Sequence, residues 1–226
     1  MLTVSLVYPF CGEERRSALK QRWSLRLLHQ LGIDLKVRGA AGQGGLVVAN
    51  HISFIDILAI NAALPATFVA KDDIRRWPLI GWLCRHSGTL FLERGSRSAA
   101  QKARAHLTGY LQAGHRVAFF PEGTTTRGDR VLPFHSALFQ SAIDSGVDVQ
   151  PVSLRYEGAQ SKRSEIPAYV DDITLLRCLW SIVSVERTRV HVNMLPAIAS
   201  REVDRRHLSS HAHRAIARHL GHSSGG

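Results

Sequence analysis

Cysteine is scarce in this chain, which has three in 226 residues: Cys11, Cys84 and Cys178. An odd number at wide spacing excludes a disulfide framework and the paired spacing of a zinc finger, and it favours a reducing compartment. Several histidines lie near the C-terminus, but none begins a His-Glu-x-x-His pattern and no cysteine lies close to them. We therefore expect no metal site.

Long hydrophobic runs are also lacking. No stretch of roughly 18 or more apolar residues occurs, so the sequence predicts no helix that crosses a membrane. Met1–Phe10 is largely apolar, but it is too short to span a bilayer and lacks the basic start and small-residue cleavage site of a signal peptide. Two interpretations of this segment stay open: an anchor in the membrane interface, or a simple buried or frayed N-terminus.

Acidic residues are the minority among the charges. The chain has 18 Asp and Glu against 29 Lys and Arg, a net charge of +11. Such a surplus favours an anionic partner: nucleic acid, an acidic membrane surface or a phosphorylated substrate. A basic nucleic-acid-binding protein is a distant alternative, because no recognisable readout motif is present and the aromatic content of 7% offers few rings for stacking on bases.

A basic amphipathic helix is predicted at Arg15–Leu31, where leucines and Trp23 recur at helical spacing between arginines and lysine, and Gly32 follows as its end. Beyond it, short apolar strand-like runs alternate with helical segments, which predicts a single α/β domain with a central mainly parallel or mixed sheet flanked by helices. Strands are expected at Leu35–Arg38, Leu46–Ala49, Thr67–Ala70, Thr89–Leu92, Val117–Phe120, Val149–Tyr156 and Arg187–Leu195. Helical segments are expected at Phe54–Ala63, Ser98–Ala113, Ser136–Ser145, Ile173–Val183 and Arg201–Leu220, and a helical or broken stretch, interrupted at Pro78, at Asp72–Arg85.

Two short segments carry groups suited to catalysis, and each follows an apolar strand-like run. The first holds His51 and Asp56 with four residues between them, and the second, Phe120–Thr124, places Glu122 in a glycine turn. A histidine beside a carboxylate can act as a general base, because the carboxylate fixes the ring tautomer and stabilises the imidazolium that forms. Such a pair can remove a proton from a hydroxyl.

The spacing of Ser53 and Asp56 also has a purely structural interpretation. Ser53 is a natural N-cap and Asp56 would stand three residues into the helix, which is a capping box. On a regular helix His51 and Asp56 would lie about 140° apart, since each residue turns roughly 100°. They can meet only if His51 lies in the loop before the helix, which is compatible with both interpretations.

Together these segments resemble the glycerolipid acyltransferases, the family of 1-acylglycerol-3-phosphate acyltransferases. The family's Asn-His-x-x-x-x-Asp and Phe-Pro-Glu-Gly-Thr motifs match residues 50–56 and 120–124. Its glycine-led strand that ends in a basic residue is similar to Gly88–Arg94, and its proline within an apolar strand is similar to Val149–Ser153. Four blocks in the family's order are a specific signal, which covers roughly residues 45–155.

The resemblance implies the role of each site residue. His51 would be the catalytic base and Asp56 its partner, while Arg94 would grip the acceptor's phosphate through paired hydrogen bonds. Glu122, Gly123 and Thr124 would bind substrate at a strand end, with the hydroxyls and backbone N–H groups of residues 124–126 facing an anion. Many members that make phosphatidic acid have arginine directly after this threonine, where this chain has Thr125. Relatives with threonine-rich versions include enzymes that acylate other lysolipids.

The implied reaction moves a fatty acyl group from acyl-coenzyme A or acyl carrier protein to the free hydroxyl of 1-acylglycerol-3-phosphate, making phosphatidic acid. Lyso-ornithine lipid is the alternative acceptor, and hydrolysis of the thioester by water is a competing reaction. No metal or organic cofactor is implied, because the thioester is already activated; the expected partners are the lysolipid, the acyl carrier and a membrane surface, with no nucleic acid.

The resemblance also implies a location and a division of the chain. We expect association with the cytoplasmic face of the inner membrane. Residues 1–31 would form the membrane interface, residues 32–222 the acyltransferase domain, and residues 223–226 a disordered tail. The tryptophans and arginines of residues 72–83 are a further candidate for contact with head groups.

Overall fold

The fold is an α/β sandwich, as the alternation of helical and strand-like segments predicts. The computed structural model describes residues 11–42, 45–76, 81, 89–92, 97–158, 163–170, 174–185 and 187–222. Four predictions fall on residues outside these ranges: the N-terminal Met1–Phe10, Arg94 at the end of its block, much of the stretch 77–88, and the tail 223–226.

Seven strands and six α-helices follow one another within the described residues. In chain order they are α1 (Glu13–Gln30), β1 (Ile33–Arg38), β2 (Leu46–Ala49), α2 (Ile55–Ala63), β3 (Thr67–Lys71), β4 (Leu90–Leu92), α3 (Arg97–Gln112), β5 (Val117–Phe119), α4 (Gln140–Ser145), β6 (Val149–Glu157), α5 (Leu175–Val183), β7 (Thr188–Met194) and α6 (Arg205–His219). Short 3₁₀ helices at Asp72–Arg76 and Ala137–Phe139 lie at the start of two segments that the sequence predicts to be helical.

The strands form one mixed sheet in the order β1-β7-β6-β2-β5-β3-β4. Neighbours pair in parallel except β6 and β7, which are antiparallel. The central strand β2 lies between β5 and β6, so the residues that follow β2 and β5 emerge side by side at the same edge of the sheet.

Alternate residues of β2 divide the core into two layers. Val47 and Ala49 pack with α1, α2 and α5 on one face of the sheet, while Leu46 and Val48 pack with α3, α4 and α6 on the other. All four side chains are fully buried, which explains why this strand reads as a continuous apolar run.

The predicted basic helix α1 is a part of this sandwich. Lys20 donates from Nζ to the carbonyl of Ala66 at 2.9 Å, and Gln21 donates to the carbonyl of Ala62 at 3.0 Å. Burial lowers the pKa of Lys20. Among the described residues no helix is both long and apolar enough to cross a bilayer.

Candidate active site

His51 and Asp56 meet at the carboxyl end of β2. His51 lies in the loop between β2 and α2, and its Nδ1 is 2.9 Å from Oδ2 of Asp56. The same Oδ2 accepts the backbone N–H groups of Ile52 at 2.7 Å and Ser53 at 2.9 Å. The carboxylate therefore holds both the ring and the loop that carries it.

The capping box predicted at Ser53 is only partly formed. Asp56 accepts the backbone N–H of Ser53, as a box requires, but the Ser53 hydroxyl accepts the N–H of Ile55 at 3.3 Å and not that of Asp56. The helix begins at Ile55, with Phe54 before it. The same Asp56 oxygen thus binds both the backbone at the start of the helix and the ring of His51.

The other carboxylate oxygen of Asp56 is bound by a residue that the motifs do not contain. The Tyr156 hydroxyl donates to Oδ1 at 2.7 Å, and both side chains are buried. Burial, and then the negative charge of Asp56, raise the pKa of Tyr156 well above its usual range, so the phenol stays protonated as a donor. Nothing in the spacing of the sequence marks this tyrosine.

The His51 ring is held by stacking as well as by its carboxylate. It lies 3.8 Å from the ring of Phe120, with the two planes 6° apart, and the His51 side chain keeps 19% of its surface exposed. With Nδ1 donating to Asp56, the lone pair of the neutral ring is on Nε2. A ring fixed in this tautomer can accept a proton from a hydroxyl at Nε2.

Glu122 supports the histidine loop from the neighbouring strand. Its Oε1 accepts the backbone N–H of His51 at 2.8 Å, and its Oε2 accepts that of Leu132, also at 2.8 Å. Burial raises the pKa of Glu122 to about 7, although these two hydrogen bonds oppose the rise. Both oxygens therefore hold backbone groups of neighbouring loops, and substrate binding by Glu122 stays a prediction.

The turn after Glu122 is tight and uses its glycine. Gly123 has φ +71°, and a β-carbon added there would lie 3.2 Å from Cδ2 of His135. Thr124 is exposed on this turn. Of the predicted substrate-binding residues, Glu122, Gly123 and Thr124 are therefore next to the histidine loop, whereas Arg94 lies outside the described residues.

The two threonines after Thr124 are not arranged as the anion-binding prediction requires. The Thr125 hydroxyl donates to the carbonyl of Tyr169, and the backbone N–H of Thr126 donates to the carbonyl of His51 at 2.8 Å. Both donors are used to join three loops of the protein. The anion-binding prediction is wrong for these two donors, because each is hydrogen-bonded to a carbonyl of the protein.

A basic cleft of about 410 Å³ opens beside the same loops. Ile52 and Gly128 form part of its wall, and Arg127, Arg155, Arg163 and His222 also line it. The three arginines pair with Glu157 and Glu165 at its edge. Nδ1 of His222 is buried, and no described residue forms a hydrogen bond with it. Burial and then the charge of Arg163 lower the pKa of His222. The basic character of the lining therefore comes from its three arginines. No group of His, Cys, Asp and Glu that could hold a metal occurs among the described residues.

Comparison with known proteins agrees with this geometry. The family model described as Acyltransferase matches residues 32–155. The 1-acyl-sn-glycerol-3-phosphate acyltransferase of Neisseria meningitidis serogroup B is 40% identical over 188 residues, which are 82% of this chain and 73% of that protein. The lyso-ornithine lipid O-acyltransferase of Pseudomonas aeruginosa is 38% identical over 202 residues, or 89% of this chain and 78% of that protein.

A solved structure has the same fold. The crystal structure of the 1-acyl-sn-glycerophosphate acyltransferase PlsC from Thermotoga maritima superposes with a TM-score of 0.72 at 21% identity, covering 96% of this chain and 86% of that one. The matched family region includes β1 to β5, most of β6, and the segments that carry His51 and Glu122. The chain is an acyltransferase and belongs to the glycerolipid acyltransferase family.

Proposed function

We propose that the protein transfers a fatty acyl group from an acyl thioester to the free hydroxyl of 1-acylglycerol-3-phosphate, making phosphatidic acid. The observation that carries this proposal is the His51–Asp56 pair, held at 2.9 Å with its ring stacked and partly exposed. A base of this kind serves a reaction whose first need is removal of a proton from a hydroxyl.

The transfer needs no covalent acyl-enzyme. Nε2 of His51 takes the proton of the acceptor hydroxyl while the oxygen attacks the thioester carbonyl, and the imidazolium is stabilised by Asp56. When the tetrahedral intermediate collapses, the carbon–sulfur bond breaks and the proton passes to the leaving thiolate. Burial raises the pKa of Cys178 to about 11, which makes this thiol a poor nucleophile.

The choice of acceptor rests on electrostatics. The basic cleft has three arginines and a histidine in its lining, next to the loop that carries the catalytic base. This lining suits a phosphate monoester, which carries up to two negative charges and has several acceptor oxygens. The ornithine head group combines a carboxylate with an ammonium, and the ammonium would be repelled. Arg94 as a further phosphate ligand stays a prediction.

Lyso-ornithine lipid is the second candidate acceptor, and one observation favours it. The position after Thr124 holds Thr125, whose hydroxyl is used inside the protein, where many members that make phosphatidic acid have arginine. The Pseudomonas aeruginosa relative with 38% identity is named for that acceptor. In either case we expect no organic cofactor, and action on bilayer lipids at the cytoplasmic face of the inner membrane.

The test pairs two donors with two acceptors. Acyl-coenzyme A and acyl carrier protein are offered with lysophosphatidate and with lyso-ornithine lipid, and the acylated product is measured. We expect lysophosphatidate to be converted, and His51→Ala to lower kcat by roughly 10²–10⁴-fold. His115→Ala, a partly exposed histidine near α3, is the matched control and should keep the wild-type rate.

Three results would contradict the proposal. Conversion of lyso-ornithine lipid alone would replace the acceptor and leave the mechanism standing. Release of free fatty acid at the same rate without any acceptor would identify a hydrolase. Full activity of a folded His51→Ala variant would remove His51 from the mechanism.

A further inference from the structure

Helix α5 directs a stripe of apolar side chains away from the protein. Its Cys178 and Ile182 are buried at 1% exposure, whereas Leu176, Trp180 and Val183 are 79%, 73% and 49% exposed. At roughly 100° per residue these three positions fall within about 60° of one another on the helix surface. We call the three exposed side chains the α5 stripe.

Polar residues occupy a separate side of the same helix. Arg177, Ser181 and Ser184 are exposed there, so the helix has a buried face, an apolar exposed face and a polar exposed face. The segment before α5 has a further exposed apolar side chain, Ile166 at 39%, and the carbonyl of its neighbour Pro167 lies 3.8 Å from the Cys178 thiol. A lone exposed leucine needs no explanation, but three large apolar side chains aligned around a tryptophan do.

The α5 stripe is connected to the active site by one short segment. Tyr169 donates its N–H to the carbonyl of Ile52 at 2.9 Å and accepts the hydroxyl of Thr125. Two residues earlier, Pro167 contacts α5. The segment 163–170 thus touches α5 and both loops that carry His51 and Glu122.

We propose that the α5 stripe docks on a lipid bilayer that contains anionic lipid. This inference rests on the proposed function, in which the acceptor and product are membrane lipids. Docking through α5 would set the height and orientation of the two catalytic loops relative to the head groups.

Area and charge select the bilayer over a protein partner. The three side chains present on the order of 400 Å², whereas a stable protein interface needs roughly 800 Å² from each partner. A bilayer has no such threshold, since tryptophan and leucine can insert at head-group level one by one. The net charge of +11 adds long-range attraction to an anionic surface.

The test replaces the stripe and measures binding to vesicles. The triple variant Leu176→Ser, Trp180→Ser, Val183→Ser is compared with a control, Val37→Ser, whose side chain is 45% exposed on β1. Co-sedimentation uses vesicles of phosphatidylcholine with phosphatidylglycerol. We expect the triple variant to bind roughly tenfold or more weakly, and the control to bind like the wild type.

A second readout separates docking from catalysis. With lysophosphatidate dispersed in detergent the triple variant should keep the wild-type kcat, and with the lipid in vesicles its rate should fall. Circular dichroism and melting temperature check that the variant is folded. If the wild type transfers no acyl group but vesicle binding still depends on the stripe, the proposed function fails and the docking surface stands.

Three outcomes would overturn the proposal. Vesicle binding by the folded triple variant at wild-type strength would show that the stripe does not dock. An equal loss in the control variant would show that any loss of exposed apolar surface has this effect. A wild-type dimer that the triple variant converts to monomers would make the stripe an interface between two copies.

Discussion

Asp56 is held by four hydrogen bonds, and the one from Tyr156 comes from the greatest distance along the chain. Three of its partners lie within five residues, on the loop at His51, Ile52 and Ser53. Tyr156 lies on β6, a hundred residues away. Its hydroxyl restrains rotation of the carboxylate away from the ring, so we expect Tyr156 to position the His51–Asp56 pair.

Replacing Tyr156 with Phe should therefore lower activity through Asp56. The buried Oδ1 loses its donor, at a cost of about 1–3 kcal/mol in the free energy of unfolding. We expect kcat to fall about tenfold, with little change in the KM for the acceptor, in steady-state assays at several pH values. Tyr110→Phe, on the opposite face of the sheet, is the control; an unchanged kcat in Tyr156→Phe would reduce the tyrosine to a packing role.

The raised pKa of Glu122 predicts that the stability of the protein depends on pH. Its pKa of about 7 in the folded protein exceeds the ordinary value of 4.5, so between these pH values the folded state keeps a proton that the unfolded chain has released. The free energy of unfolding should then fall as pH rises from about 4.5 to about 7, by about 3 kcal/mol at most.

Substitution of Glu122 by Gln isolates this contribution. The amide has one oxygen for the two N–H donors of His51 and Leu132, so the variant should be less stable than the wild type at pH 5, by about 1–3 kcal/mol. At pH 8 the difference in free energy of unfolding between the two proteins should be smaller, because the wild type then carries the buried charge of Glu122. Urea unfolding at both pH values measures this difference, and Glu165→Gln, at an exposed side chain, is the control. The same difference at both pH values for Glu122→Gln would argue against the raised pKa.

At the scale of single residues, the contact between His51 and Asp56 was predictable from local spacing, whereas the contact between Tyr156 and Asp56 was not. His51 and Asp56 stand in one segment, and a loop histidine before a helix is the only arrangement that lets them meet. Tyr156 reaches Asp56 because of the register of β2 and β6, in which Ala49 lies beside Val152. That register is a property of the assembled sheet.

Among the elements, the turn after β5 depends on its glycine more than an ordinary turn does. Gly123 and Gly146 have similar backbone angles, φ +71° and +66°, but a β-carbon at Gly123 would lie 3.2 Å from the His135 ring, while one at Gly146 would lie within 4 Å of no described atom. The pair therefore separates backbone strain from crowding.

Alanine at the two glycines should have different effects. Gly146→Ala should lower the free energy of unfolding by only about 1 kcal/mol, the cost of the left-handed backbone conformation. Gly123→Ala should cost about 2 kcal/mol and also lower kcat severalfold, because the displaced turn carries Glu122 and with it the backbone of His51. Thermal unfolding and initial rates measure both; equal costs with an unchanged rate would show that the turn adapts freely.

Helix boundaries were predicted best where a capping or helix-ending residue was identified in the sequence. Gly32 ends α1 with φ +70°, as expected. The last helix was predicted from Arg201 but begins at Arg205, because the Asp204 carboxylate caps the N–H groups of Arg206 and His207 at 2.7 Å and 3.0 Å. Ser136–Ser145 was predicted as one helix and is a 3₁₀ turn followed by α4.

For the whole molecule, the α/β class follows from alternation of the elements, but the order of the strands does not. Nothing in the local pattern places β6 and β7 antiparallel, or β2 between β5 and β6. The basic cleft depends on this order, because its arginines come from positions 127, 155 and 163 and its histidine from 222. Composition predicted an anionic partner and could not say where it binds.

Removing charge from this cleft should weaken binding of an anionic acceptor and leave the chemistry intact. In Arg155→Gln with Arg163→Gln we expect the KM for lysophosphatidate to rise about tenfold, equivalent to about 1.4 kcal/mol, at unchanged kcat. Both side chains are 39–46% exposed, so the effect should shrink as salt rises and screens the remaining charges. Arg26→Gln with Arg38→Gln removes the same charge from α1 and β1. If that control raises the KM equally, attraction comes from net charge alone; a rise confined to the cleft variant assigns the anion to the cleft.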